Sequence, residues 1–546
     1  MGGRGYTRAM RLLPSVFVAA LMFAATPGHA LEKWLYVSTN LQVNEATDDL
    51  EKLMERASAA GYTHLLLADS KLARLGTLGD MIRRYTLNTE RIKQVAARTK
   101  IEVVPSLFHI GYSNSLLFHD PNLVEGPPVK EQPLLVEGGK ARIVAPEVPL
   151  PGGDFSDLKK WSWKDEAVTE ENGTARVQAN GGNARMAQKL KLQPWRQYHF
   201  SVRVKTQDMR GGLPEVKAMA GGRGLNHANL GVKKTQDWTT HHVVFNTLEN
   251  SEVSLMLGTW GAESGTFWWD DAKLEETAFV NLIRREGCPL VITTGEGKTL
   301  AEGKDYEPLK DPAMGAKPWP GEFDVYHEPP VLRTKLPDGT RLSASYCHSM
   351  TVYEGQVMAC PSEPKTVELL RDEAKRVHAL WGAQGYMMSH DECRVMNWCA
   401  ACQRRNLTPG QLLADNAATC VKILREVNPG GRIYVWSDMF DPNHNAVKGP
   451  YYLVNGSLEG AWDGLDKDVI IVPWYYEKRA ESLKFFADRG HRQVIAGYYD
   501  SKPARIKDWL GAAKATPGSV VGAMYTTWHR NYTDLEAFSR AMDEAK

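Results

Sequence analysis

The chain carries almost no net charge: 66 Lys and Arg face 65 Asp and Glu across 546 residues. A nucleic-acid partner normally demands a basic excess, so that class is set aside. After the first thirty residues no apolar run reaches the length of a membrane span. No glycine-rich phosphate loop follows the first apolar strand, which argues against dinucleotide binding. There is no Gly-x-Ser-x-Gly elbow, no repeat array and no low-complexity tract. Cysteine is scarce, at seven residues, and the odd count leaves at least one thiol over. Cys393, Cys399 and Cys402 crowd one segment, yet a lone Cys-x-x-Cys lacks the second pair or spaced histidines of a zinc site. The expectation is a local disulfide or buried thiols, with no metal and no cofactor.

What is present begins with a leader. Arg4, Arg8 and Arg11 precede "LLPSVFVAALMFAA", which ends near Ala30. A basic start, a short apolar stretch and small residues at its end describe a secretory signal over 1–30, with a periplasmic or secreted chain beginning near residue 31. Sixteen Trp and 20 Tyr suit stacking on sugar faces, although core packing uses most of them.

Eight β-rich apolar runs recur, at 33–40, 63–70, 101–108, 385–392, 432–439, 469–476, 492–499 and 520–528. Most are followed by helical spacing, as in "TDDLEKLMERASAAG". Continuous apolar strands alternating with amphipathic helices indicate a parallel sheet covered on both faces. Eight such units predict a (β/α)8 TIM-type barrel, split into 31–140 and 341–546. From 145 to 278 short alternating strands replace the helices, predicting an inserted β-sandwich. Its ends, "GGDFSDLKKWSW" and "GTFWWDDAKLEE", resemble those of jelly-roll carbohydrate-binding modules. In that resemblance Trp268, Trp269, Asp270 and Asp271 are structural. Residues 279–340 read as a linking region, and 341–350 as an accessory strand at the barrel mouth.

In such a barrel the reactive groups stand at the C-terminal strand ends. There the sequence places His109, His390, Asp391, Glu392, Trp436, Asp438, Tyr475, Tyr499, Asp500 and Trp528, with His348 near the mouth. Acids among aromatics, without a phosphate loop, suit glycoside hydrolysis: a protonated carboxyl group serves the leaving oxygen and a negative group stabilises the transition state. Adjacent carboxylates resist ionising together. Because neighbouring strand residues face opposite sides, Asp391 and Glu392 share a site only where strand gives way to loop.

The run "YMMSHDE" resembles the signature strand of glycoside hydrolase family 20 and related β-N-acetylhexosaminidases, which ends His-x-Gly-Gly-Asp-Glu. That resemblance implies Glu392 as general acid and Asp391 as the carboxylate that orients a substrate 2-acetamido group, itself the nucleophile. Trp436, Tyr475, Tyr499 and Trp528 correspond to pocket aromatics in placement only. Ser389 and His390 replace the double glycine, and the inserted sandwich is a second departure. Two alternatives stand beside this exo-acting hydrolase. One is a two-carboxylate glycosidase using Asp438 or Asp500 as nucleophile or base; the other is a non-catalytic glycan-binding protein. In every case the partner is a carbohydrate.

Overall fold

The structure is a computed structural model that describes residues 31–545; the leader reading falls on residues outside them. Within the unit Glu32–Lys546, eight parallel strands close into a barrel. They are β1 (Glu32–Ser38), β2 (His64–Ala68), β3 (Glu102–Leu107), β4 (Gly385–Met388), β5 (Arg432–Trp436), β6 (Ile470–Val472), β7 (Gln493–Ala496) and β8 (Val520–Tyr525). Strand β8 pairs with β1, Trp34 opposite Met524, which completes the ring.

The strands are largely apolar because both faces are covered; several begin on polar residues, and there Arg432 pairs with Glu32 and Glu102. Every second residue points inward, so Trp34, Tyr36, Leu66, Ala68, Val104, Met387, Tyr434, Trp436, Ile470, Val472, Val494, Ala496 and Met524 fill the barrel. The intervening residues meet helices Asn44–Ala59, Met81–Thr99, Pro364–Trp381, Pro409–Val427, Arg479–Asp488, Arg505–Ala513 and Leu535–Glu544. Proline at the first turn starts two of these, and a left-handed Gly382 ends Pro364–Trp381. Between β5 and β6 the helical layer is reduced to the short turn Ala461–Gly464.

Between β3 and β4 lies the insertion. One sandwich sheet is built around Asn183–Lys191 and Glu252–Trp260, the other around Gln197–Arg210 and Ser264–Thr277, all antiparallel. Trp269 is fully buried, edge-on to Phe267. Trp268 faces outward and donates to Glu171, while Asp270 and Asp271 pair with Arg203.

A third sheet was not foreseen. Pro128–Glu137 pairs with Arg341–His348, which also pairs with Leu282–Ile283 and Val291–Thr294. Arg341–His348 is thus the centre of a separate layer around Val129, Leu134, Ile292 and Tyr346, rather than an accessory strand at the mouth. The chain beyond it, Val352–Gln356, does reach the mouth, where Gln356 donates to the carbonyls of Gly111 and Glu392.

Candidate active site

The two-residue spacing of β4 decides what its end presents. Met387 points into the barrel, Ser389 follows it and hydrogen-bonds Ser106 of β3 at 2.6 Å, and Asp391 continues on the same side. His390 has the opposite parity. It is fully buried behind the strand, with Nε2 3.0 Å from Asn416 of helix Pro409–Val427, and burial lowers it to about 4. It therefore does not reach the mouth. Glu392 shares the parity of His390, but regular strand ends at Met388 and Glu392 adopts φ +50°. That left-handed turn, disfavoured for a side chain with a Cβ, brings Glu392 to the cavity that Asp391 lines.

This cavity, about 440 Å³, is walled by Tyr36, Trp436, Trp474, Tyr499 and Trp528. Trp474 and Tyr499 stack at 5.1 Å and 3°, and Trp528 leans against Tyr36 at 4.9 Å. A second cavity of about 680 Å³ shares Tyr36, His109 and Tyr112 and reaches Asn229 of the sandwich. His109 lines both. Burial lowers it to about 4, so its ring is neutral, and its Nε2 has no partner among the described residues.

Three carboxyl groups converge. Asp438, wholly buried beneath the pair, accepts from the backbone N–H of Glu392 at 2.9 Å, from Asn445 at 3.1 Å and from the Trp474 indole at 3.4 Å. Burial, and then the charges of Asp438 and Glu392, push the Asp391 carboxyl far above its usual range. Asp438 is raised as well, chiefly by burial. Glu392 has different company: Arg394 lies 2.5 Å from one oxygen and the Tyr112 hydroxyl donates to the other. Arg394 is itself nearly buried and also donates to Gln356. The site thus holds two buried acids whose proton affinity is raised, Asp391 and Asp438, and one acid, Glu392, clasped by a guanidinium.

Other sequence candidates lie elsewhere. His348 does not approach the mouth; it is buried between sandwich and third sheet, held by Gln197 and Asn246. Tyr475 stacks on His444 behind Trp474. Asp500 accepts from Thr527 at 2.5 Å and from the Trp528 N–H at 2.6 Å, fixing the loop that carries Trp528. Trp436, Tyr499 and Trp528 face the cavity. Trp474, Tyr112, Tyr36 and Arg394 were missed. Trp474 has the inward parity of Ile470 and Val472, a signal that the sequence carries across Pro473.

No protein-family model and no curated protein matches the chain. Solved structures similar to it include a Streptomyces plicatus N-acetyl-β-hexosaminidase in complex with Thio-NAglucal, 11% identical over 95% of this chain and 63% of that one, with TM-score 0.38. A Flavobacterium johnsoniae chitobiase is 16% identical over 35% of this chain, with TM-score 0.26; the match spans 32% of that chain's length. A carbohydrate-binding module of family 61 in complex with β-1,4-galactotriose is 14% identical over 24% of this chain and all of that one, with TM-score 0.20.

Proposed function

We propose that the protein is an exported, exo-acting glycoside hydrolase that cleaves the glycosidic bond of an N-acetylhexosamine-bearing carbohydrate. The observation that carries this reading is the Asp391–Glu392 pair on the wall of a small cavity lined by three indoles and Tyr499. Aromatic faces suit the C–H faces of a sugar ring, and the volume lies within the range of small-ligand sites. Asp391 receives the N–H of the 2-acetamido group. The acetamido oxygen bonds to the anomeric carbon as the glycosidic bond breaks, and Glu392 gives its proton to the departing oxygen. Water then opens the cyclic intermediate and returns a proton to Glu392. His109, neutral and with a free nitrogen, is placed to bind a hydroxyl. The scheme requires Glu392 to take up a proton and part from Arg394 before it donates. Export rests on the leader pattern alone.

Glu392→Gln tests the assignment. Hydrolysis of substrates with poor leaving groups is expected to fall by roughly 10²–10⁴-fold, with a smaller loss for activated aryl leaving groups. Equal rates in variant and parent would remove Glu392 from the chemistry.

The Arg394 contact favours a second allocation, in which Asp391 donates the proton and Glu392 is the nucleophile on a sugar without an acetamido group. Turnover of 2-hydroxy glycosides, with a glycosyl ester trapped on Glu392, selects that scheme. Turnover confined to 2-acetamido substrates selects the first.

A further inference from the structure

Among residues that line neither of the two cavities, three thiols and a carboxyl group meet. Cys360, Cys399, Cys402 and Glu125 are all buried, and their donor atoms lie within 4.8 Å of one another. The Cys360 sulfur is 3.5 Å from that of Cys399 and 3.5 Å from that of Cys402. A disulfide would need about 2.05 Å between two sulfurs and would strand the third. Tetrahedral coordination with metal–sulfur bonds of about 2.3 Å separates its sulfurs by about 3.8 Å and engages all three.

The surroundings fit thiolates. The Cys402 backbone N–H points to the Cys399 sulfur at 3.5 Å, and the Ser362 hydroxyl stands 3.3 Å from the Cys402 sulfur. Such contacts orient metal-bound thiolates. Glu125 is fixed through one oxygen by the N–H groups of Trp398 and Cys399, at 2.7 and 2.9 Å. Its other oxygen has Arg285 at 3.4 Å, which leaves a lone pair for a cation and supplies a balancing positive charge. Cys288, beside Cys399, is a neighbouring thiol.

We propose that Cys360, Cys399, Cys402 and Glu125 form a closed tetrahedral site for a thiophilic divalent cation of the zinc class. Its role is structural. All four positions are protein ligands, so none is left for substrate, and the cation ties two distant segments, at Glu125 and Cys360, to the segment Cys399–Cys402 that follows Asp391 and Glu392.

Elemental analysis of the full chain, purified without added metal or reductant, is expected to give about one zinc per chain. Cobalt exchange should produce the intense near-ultraviolet thiolate-to-metal absorption. Treating the parent protein with chelator should release the ion and expose three thiols newly reactive to a disulfide reagent. This arm needs no variant to fold. Cys360→Ser and Cys399→Ser should lose the cation, whereas Cys420→Ser, in a helix away from the cluster, should keep it. A metal-free chain containing a disulfide among Cys360, Cys399 and Cys402 overturns the proposal, as does zinc retained after Cys360→Ser. Unchanged cobalt affinity in Glu125→Gln, together with loss in Cys288→Ser, would overturn Glu125 as the fourth ligand. None of these readouts depends on turnover, so the cation and the glycosidase reading stand or fall separately.

Discussion

Gly111 shows how closely the acid pair is shouldered by its neighbours. A Cβ added there would fall 1.9 Å from the carbonyl oxygen of Asp391 and 3.0 Å from the backbone of Glu392. Only hydrogen lets the loop after β3 close over the end of β4. Gly111→Ala should therefore cost about 1–3 kcal/mol by forcing the backbone apart. It should also lower kcat/KM more than the fall in Tm alone would suggest, because the displaced atoms belong to the acids. Full activity with an unchanged Tm would show that the contact is slack. Much at this scale follows from parity: Asp391 inward, His390 outward and Trp436 inward are all consequences of two-residue spacing. The position of Glu392 is not, since φ +50° breaks the spacing and nothing in "SHDECR" announces it. Nor could the sequence reveal the thiol cluster, whose ligands come from three segments far apart in the chain.

Among the elements, helix Pro364–Trp381 carries a concealed acid. Glu373 is 2% exposed, one oxygen accepts from the Phe108 N–H at 3.3 Å, and the other has no partner among the described residues. Burial pushes it up to about 8. From about pH 4.3, the unfolded value, to about 8, the native chain holds a proton that the unfolded chain has lost. Stability therefore falls as pH rises through that window and levels off above it. Glu373→Gln removes this slope. Calorimetry at pH 5 and pH 9 should show a smaller drop in Tm for the variant, and parallel drops would contradict the linkage. At this scale all eight barrel strands were legible, because a strand covered on both faces is apolar along most of its length. The third sheet was not: Pro128–Glu137 alternates like any half-exposed segment, and its partner Arg341–His348 lies some 200 residues later.

In the whole molecule the sandwich is a buttress for the mouth. His227 and Ala228 pair with Val352 and Tyr353, and Arg223 donates to the carbonyls of Tyr452 and Val454 at 2.9 and 3.1 Å. Leu453–Val454 pairs in turn with Val395–Met396, three residues beyond Glu392. Arg223→Ala should leave the barrel intact at a cost of about 1–3 kcal/mol, because two partly buried carbonyls lose their donor. It should hasten proteolytic cutting near Tyr452 and reduce kcat/KM several-fold; a cutting pattern like that of the parent would refute the coupling. The interruption of the barrel also governs the order of assembly. Strands β3 and β4 are neighbours, Met388 opposite Leu107, yet roughly 280 residues separate them in the chain. As a newly made polypeptide emerges, the first three strands cannot close a ring. They wait, edge exposed, while the sandwich and third sheet condense between them and the strands still to come. Refolding from denaturant should accordingly be limited by ring closure and prone to clumping, unless the inserted layers form first and draw the two halves within reach.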